Sequence, residues 1–127
     1  MVADPFSLEA SASAQEAGEA LARDEVRAVF VCDQGKLVGV VTRKTLVREV
    51  VARGRDPKET QLGDIAEPPN ATLESSLPLP DGFQFLEAND YERVPVVDGG
   101  RLVGVLSRSA VQRRLAEDEP VLETDGA

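Results

Sequence analysis

Two short clusters in this chain carry side chains suited to holding an anion: Thr42-Arg43-Lys44-Thr45 and Ser107-Arg108-Ser109-Ala110. Each sets a hydroxyl directly before an arginine at the expected start of a helix, where free backbone N–H groups and the helix dipole favour negative charge. The chemistry on offer is recognition of a phosphate, not bond breaking. The alternative for both arginines is a solvated surface position, or pairing with acidic neighbours such as Asp33 and Asp98 among the 23 Asp and Glu residues. No histidine occurs, which removes Ser-His-Asp and Cys-His triads, the commonest zinc ligands and the usual pH switch together. Cys32 is the single cysteine, so an internal disulfide and a cysteine-built metal cluster are excluded; its run Val29-Phe30-Val31-Cys32 marks it as a core residue. There is no carboxylate cluster at catalytic spacing, no G-x-x-x-x-G-K-[ST] and no G-x-G-x-x-G, so the chain reads as a non-enzyme without a metal site.

A repeat relates the two clusters. At an offset of 65, residues 6–51 align with 71–116 without a gap and 14 of 46 pairs are identical, including GKLVGVVTR at 35–43 against GRLVGVLSR at 100–108. Such a repeat means two copies of one folding unit, with any site expected twice or between the copies. A unit of roughly 60 residues is marginal alone, so the halves are expected to pack on each other and share a core. With 42% hydrophobic residues but four Phe, one Tyr and no Trp, that core is aliphatic. A net charge of −9 argues against nucleic acid or an anionic membrane surface as main partner, and leaves a small neutral or anionic ligand where positive charge is local. No apolar stretch reaches the ~18–20 residues of a membrane span, and Met1-Val2-Ala3-Asp4-Pro5 lacks the parts of a signal peptide. The expectation is a soluble, cytoplasmic protein, with the sequon Asn70-Ala71-Thr72 a chance match.

The elements that must position the clusters follow from hydrophobic period. Ala14, Ala17, Gly18 and Leu21 predict an amphipathic helix near 12–24, N-capped by Ser11 or Ser13, and Leu79, Gly82, Phe83 and Leu86 predict its counterpart beginning near Pro78–Pro80. β-Branched runs at 27–32 and 37–42, then at 93–97 and 102–107, flank Asp33-Gln34-Gly35 and Asp98-Gly99-Gly100, and read as hairpins. A second helix follows each hairpin, near 43–53 with the stripe Leu46, Val47, Val50, Val51 and near 108–117 with Val111 and Leu115. Short extended pieces at 6–9 and 71–74 precede each unit, Gly54 ends a helix, Asp56-Pro57 turns, and Leu62–Ala66 forms a helical turn. The predicted class is α/β (α+β), with unit 1 at 1–55, a linker at 56–69, unit 2 at 70–117 and an acidic flexible tail at 118–127.

This order, with D-x-G-[KR]-L-V-G-V leading through Thr or Ser into a helix, resembles the CBS domain, named after cystathionine β-synthase. Val94-Pro95-Val96-Val97-Asp98 followed by Gly100-Arg101-Leu102-Val103-Gly104-Val105-Leu106-Ser107 is similar to the family's most typical stretch, and Phe30 departs from it where proline is favoured. The resemblance implies a CBS pair that binds AMP, ADP, ATP or S-adenosylmethionine between its units and controls an enzyme or transporter. It implies that Thr42 and Ser107 contact ribose or phosphate, that Tyr91, Val94 and Pro95 lie at the adenine pocket, and that an aspartate three residues after each hydroxyl accepts from the ribose. Thr45 and Ala110 stand at those aspartate positions. Losing a charge-assisted contact of about 1.5–3 kcal/mol weakens a ribose ligand by about one to two orders of magnitude. Thr45→Asp and Ala110→Asp are then expected to restore it with the fold intact. Tyr91 has half-buried packing as its alternative, and Gly39 and Gly104, inside strands, mark either tight packing or ligand approach. Two functions compete: a nucleotide-sensing regulatory module, and a degenerate pair that dimerises and docks without nucleotide. Both imply a homodimer through the helices near 12–24, 43–53, 78–89 and 108–117.

Overall fold

The structure is a computed structural model describing residues 6–108; Ala110, the helix expected at 108–117 beyond its first residue, and the acidic tail lie outside the described residues. One six-stranded sheet runs in the order β1-β2-β3-β6-β5-β4, built from β1 (Ser7–Glu9), β2 (Val29–Asp33), β3 (Lys36–Val41), β4 (Leu73–Glu74), β5 (Arg93–Asp98) and β6 (Arg101–Ser107). The order reads the same from either edge, with β1, β2 and β3 in the places that β4, β5 and β6 take from the other, and β3 beside its repeat partner β6. Register repeats with it: Val31 faces Gly39 as Val96 faces Gly104, Leu8 faces Val31 as Leu73 faces Val96, and both hairpins carry a bulge one step later. The hairpin turns are type I′, with positive φ at Gln34 and Gly35 and at Gly99 and Gly100.

Helix α1 (Ala14–Leu21) starts at Ser13, whose hydroxyl accepts from the Glu16 N–H while the Glu16 carboxylate accepts from the Ser13 N–H. Its counterpart α4 (Leu79–Asn89) starts after Pro78 and ends at Asp90 in a left-handed conformation. Both lie close on the sheet through a small residue, Ala17 in one and Gly82 in the other; a Cβ on Gly82 would meet Leu106 Cδ2 at 2.7 Å. Helix α2 (Arg43–Leu46) runs into a π-helical segment, Val47–Val51, with Ala52 N–H bonded to Val47 O and Arg55 N–H to Val50 O. The wider turn splits the expected apolar stripe. Leu46 and Val50 pack into the core, while Val47 and Val51 are 58% and 71% exposed. Gly54 closes this segment with φ +67.

The two units keep separate apolar clusters rather than the shared core expected. One joins α1, β2, β3 and Val50; the other joins Leu73, Leu86, Val94, Val96 and Leu106. Helix α3 (Leu62–Ile65), inside the expected linker, belongs to the first: Leu62 is fully buried and Ile65 nearly so. The units meet at the hairpin tips. Lys36 faces Arg101, and the bonds Leu37 N–H to Gly100 O (3.0 Å) and Leu102 N–H to Gly35 O (3.1 Å) are exchanged by the repeat, which places a pseudo-twofold axis between β3 and β6. Farther along, β3 turns its free edge to the linker instead of β6: Val40 and Glu67 exchange backbone bonds of 2.8 and 2.9 Å.

Candidate functional site

Because β3 and β6 pair only at their tips, a wedge opens between the units, and in it lies a cavity of about 440 Å³. Its walls repeat across the axis: Phe6 with Ala71, Ala28 with Arg93, Phe30 with Pro95, and Val40 with Val105. Strand alternation builds these walls. In β2 and β5, Val29, Val31, Val94 and Val96 point into the helix-covered cores, so Phe30 and Pro95 point the other way, into the cavity. Val41 and Leu106 likewise face the cores while Val40 and Val105 face the cavity. Glu25, Val26, Arg27, Thr42, Pro69 and Asn70 complete the lining.

The candidate residues divide accordingly. Thr42 and Pro95 line the cavity. Val94, beside Pro95, is 1% exposed inside the core of unit 2, on the opposite face of its strand. Ser107 is buried at the end of β6 and is not among the lining residues. Tyr91 is half-buried, its ring 5.9 Å from that of Phe85 at 51°, packed on the core of unit 2. Ala110 lies outside the described residues.

Arg43 and Arg108 are held by backbone carbonyls. The Arg43 guanidinium donates to Arg23 O (2.9 Å) and Val26 O (3.0 Å); that of Arg108 donates to Tyr91 O (3.0 Å), Leu86 O (3.3 Å) and the Asp90 carboxylate (3.2 Å). Val26 and Tyr91 are repeat partners, so both arginines perform one task, fastening the loop between the first helix and the hairpin. The acidic partner is Asp90, not Asp33 or Asp98.

Thr45 is 1% exposed and forms a reciprocal cap with Thr42: Thr42 N–H donates to Thr45 Oγ1 (3.0 Å) and Thr45 N–H to Thr42 Oγ1 (3.4 Å). Its hydroxyl then donates to Glu67 Oε2 at 2.9 Å, and Arg48 also bonds that carboxylate oxygen. A carboxylate introduced by Thr45→Asp, a change expected from the sequence to leave folding intact, would be set against that of Glu67. Gly39 meets the linker tightly: a Cβ there would lie 2.7 Å from Ala66 Cβ and 3.0 Å from Glu67 O.

The sequence reading missed Arg27 and Arg93, which line the cavity while their side chains have no hydrogen bond or ion pair among the described residues. The signal was present: Arg93 falls two residues before Pro95, on the same strand face. Glu25, the acidic residue of the lining, is engaged by Arg23, whose Nη2 and Nε lie 2.8 and 3.0 Å from its carboxylate. A backbone hydrogen bond, then the Arg23 hydrogen bond and charge, hold the Glu25 carboxyl below its ordinary pKa. Burial first, and then the Glu9 charge, push the Cys32 thiol up. Among the described residues no group of three or more His, Cys, Asp or Glu could hold a metal ion, and no helix is long and apolar enough to cross a membrane.

The CBS domain family model matches residues 1–52 and 62–117. The Meiotically up-regulated gene 70 protein of Schizosaccharomyces pombe is 30% identical over 126 residues, 94% of this chain; the chain spans only 17% of that protein's length. Among solved structures, Staphylococcus aureus OpuCA superposes with a TM-score of 0.74 at 23% identity, covering 92% of this chain and 97% of its own. The CBS domain protein PAE2072 from Pyrobaculum aerophilum, solved in complex with AMP, gives 0.68 at 26% identity, with 92% and 95% covered. Two family matches related by the internal repeat, on a sheet with the same pseudo-twofold order, make this chain a tandem pair of units belonging to the CBS domain family.

Proposed function

We propose that the chain is a regulatory module that takes an adenosine-containing, phosphorylated small molecule into the axial cavity and passes its presence to a partner enzyme or transporter. The carrying observation is the cavity itself, about 440 Å³ with matched walls from both units. That volume falls within the ~300–1,000 Å³ usual for small-ligand pockets. The AMP complex of PAE2072 supports adenine nucleotides as the class, with AMP, ADP, ATP and S-adenosylmethionine as members to compare. Thr42 and Pro95 are the proposed contacts carried over from the sequence, and Phe30 and Val40 with Val105 supply apolar walls for a base. A ligand touching both walls fixes the spacing of two units whose described strands pair only at the hairpin tips. It favours the spacing it fits, by its differential affinity for that state. The proposed module has no catalytic step and works in the cytoplasm.

A specific observation favours dimerisation as part of the same function. Val47 and Val51 stand exposed beside an apolar groove between α1 and the π-helical segment, lined by Ala14, Gly18, Ala22, Leu46, Val50 and Pro57. A second copy of the chain is the proposed occupant, through the same helices that the sequence assigned to a homodimer.

Melting of the purified protein with each of the four ligands tests the sensor reading. AMP or ATP is expected to raise the midpoint in the wild type, and Ala28→Trp, which fills the wall, is expected to abolish the rise. Failure of all four to shift the midpoint would leave the degenerate docking module as the function.

A further inference from the structure

We propose that the groove between β4 and the start of α4 seats the chain's own tail, residues 118–127, with Val121 and Leu122 as its apolar anchors. The groove, about 240 Å³, is lined chiefly by Leu73, Leu77, Leu79, Gly82, Val96 and Leu106. At the offset of 65 these correspond to Leu8, Ala12, Ala14, Ala17, Val31 and Val41, the surface of unit 1 on which the linker packs. There Leu62 N–H donates to Ala12 O (2.9 Å), Gly63 N–H to Ala10 O (2.9 Å) and Ala14 N–H to Thr60 O (2.8 Å), and Leu62 is fully buried. Nothing among the described residues covers the counterpart in this way. Ser75 and Leu77 repeat Ala10 and Ala12 yet stand exposed, Leu77 by 39%. Unit 2 thus carries a linker seat that no described segment fills.

Connectivity names the occupant. In unit 1 the seat is filled by the segment that follows the unit's second helix, and the segment in that place of the repeat for unit 2 is the tail. At the same offset Thr60–Leu62 correspond to 125–127, so the tail is long enough to reach the groove. Val121 and Leu122 are its large apolar side chains. In strict register Leu122 would stand at Pro57, whose carbonyl accepts from Gln15 N–H (3.1 Å). Pro80 replaces Gln15 and has no N–H to hold that register, so the tail takes a shorter path that brings Leu122 into the groove. Charge fits as well. Helix α1 caps itself through Ser13 and Glu16, whereas α4 starts after Pro78 with no side-chain cap. The acidic residues Glu119, Glu123 and Asp125 suit that positive helix end, and the exposed Glu74 at the rim is screened by solvent.

A nitroxide attached at Thr124→Cys in the full chain tests the seat, the buried Cys32 being spared by brief labelling. The amide signals of Ser75, Leu77, Leu79 and Gly82 are expected to lose intensity, while those of their repeat partners Ala10, Ala12, Ala14 and Ala17 keep it. Adding Leu122→Asp should restore the lost intensity, and melting curves check that each variant folds. Mixing nitroxide-bearing chains with isotope-labelled chains that lack the nitroxide separates the source, and no loss is expected in the mixture. Loss in the mixture would assign the groove to the tail of a second copy and overturn the proposal. Loss at neither set of amides, or equal loss at both, would overturn it too. Loss that persists in the Leu122→Asp variant would overturn Leu122 as the anchor.

Discussion

The structural work of single side chains separates from their apparent chemistry most clearly at the two arginines that follow the hairpins, Arg43 and Arg108. Arg43 and Arg108 were the sequence's phosphate candidates, yet their guanidiniums hold the carbonyls of Val26 and Tyr91. Arg43→Gln is expected to lower stability by about 1 kcal/mol and leave AMP affinity within about twofold. Urea titration beside calorimetry reads both effects. Thr45→Asp is expected to destabilise by about 1–3 kcal/mol because Glu67 already receives the Thr45 hydroxyl, and adding Glu67→Gln should return part of that loss. A recovery of nothing in the double variant would contradict the assigned contact. Cys32, buried with a thiol pKa raised by desolvation, should react with maleimide far more slowly folded than in urea. Because the folded thiol holds its proton more tightly, its contribution to stability is complete below the ordinary thiol pKa and is lost as pH rises through the folded value.

At the level of elements, the helices, hairpins and turns were legible because each has a local cause: the Ser13 cap, proline at the start of α4, positive-φ glycines between alternating strands. The cavity face was legible in part. Period-two alternation puts Ala28, Phe30 and Val40 on the same side as Arg93, Pro95 and Val105, and also sends Val94 to the core, which the motif alone did not. What the sequence hid was tertiary. The π-helical turn that exposes Val47 and Val51, and the passage of residues 62–67 along the first unit, depend on packing between segments. Two substitutions test that packing. Leu62→Ala should cost about 2–5 kcal/mol as a fully buried core residue. Gly39→Ala should cost about 1–3 kcal/mol, because its new Cβ meets Ala66 and the backbone of Glu67. Equilibrium unfolding that finds both changes neutral would mean that the linker does not lie on β3.

For the whole molecule, the repeat explains why one cavity can feel both units: equivalent strands approach the axis, join at their tips and leave the wedge between them. Sedimentation at micromolar protein should show a dimer, and Val51→Glu, placing charge on the exposed apolar face, should shift it toward monomer. The central claim is that a phosphorylated adenosine binds on the pseudo-twofold axis and touches both copies. A titration of isotope-labelled protein with AMP, followed by amide chemical shifts, tests it most directly. The account predicts saturable shifts in both halves together, at Ala28, Phe30, Val40 and Thr42 and at Ala71, Arg93 and Val105, with one common affinity. Shifts confined to one unit, or none at these positions at millimolar AMP, would contradict it.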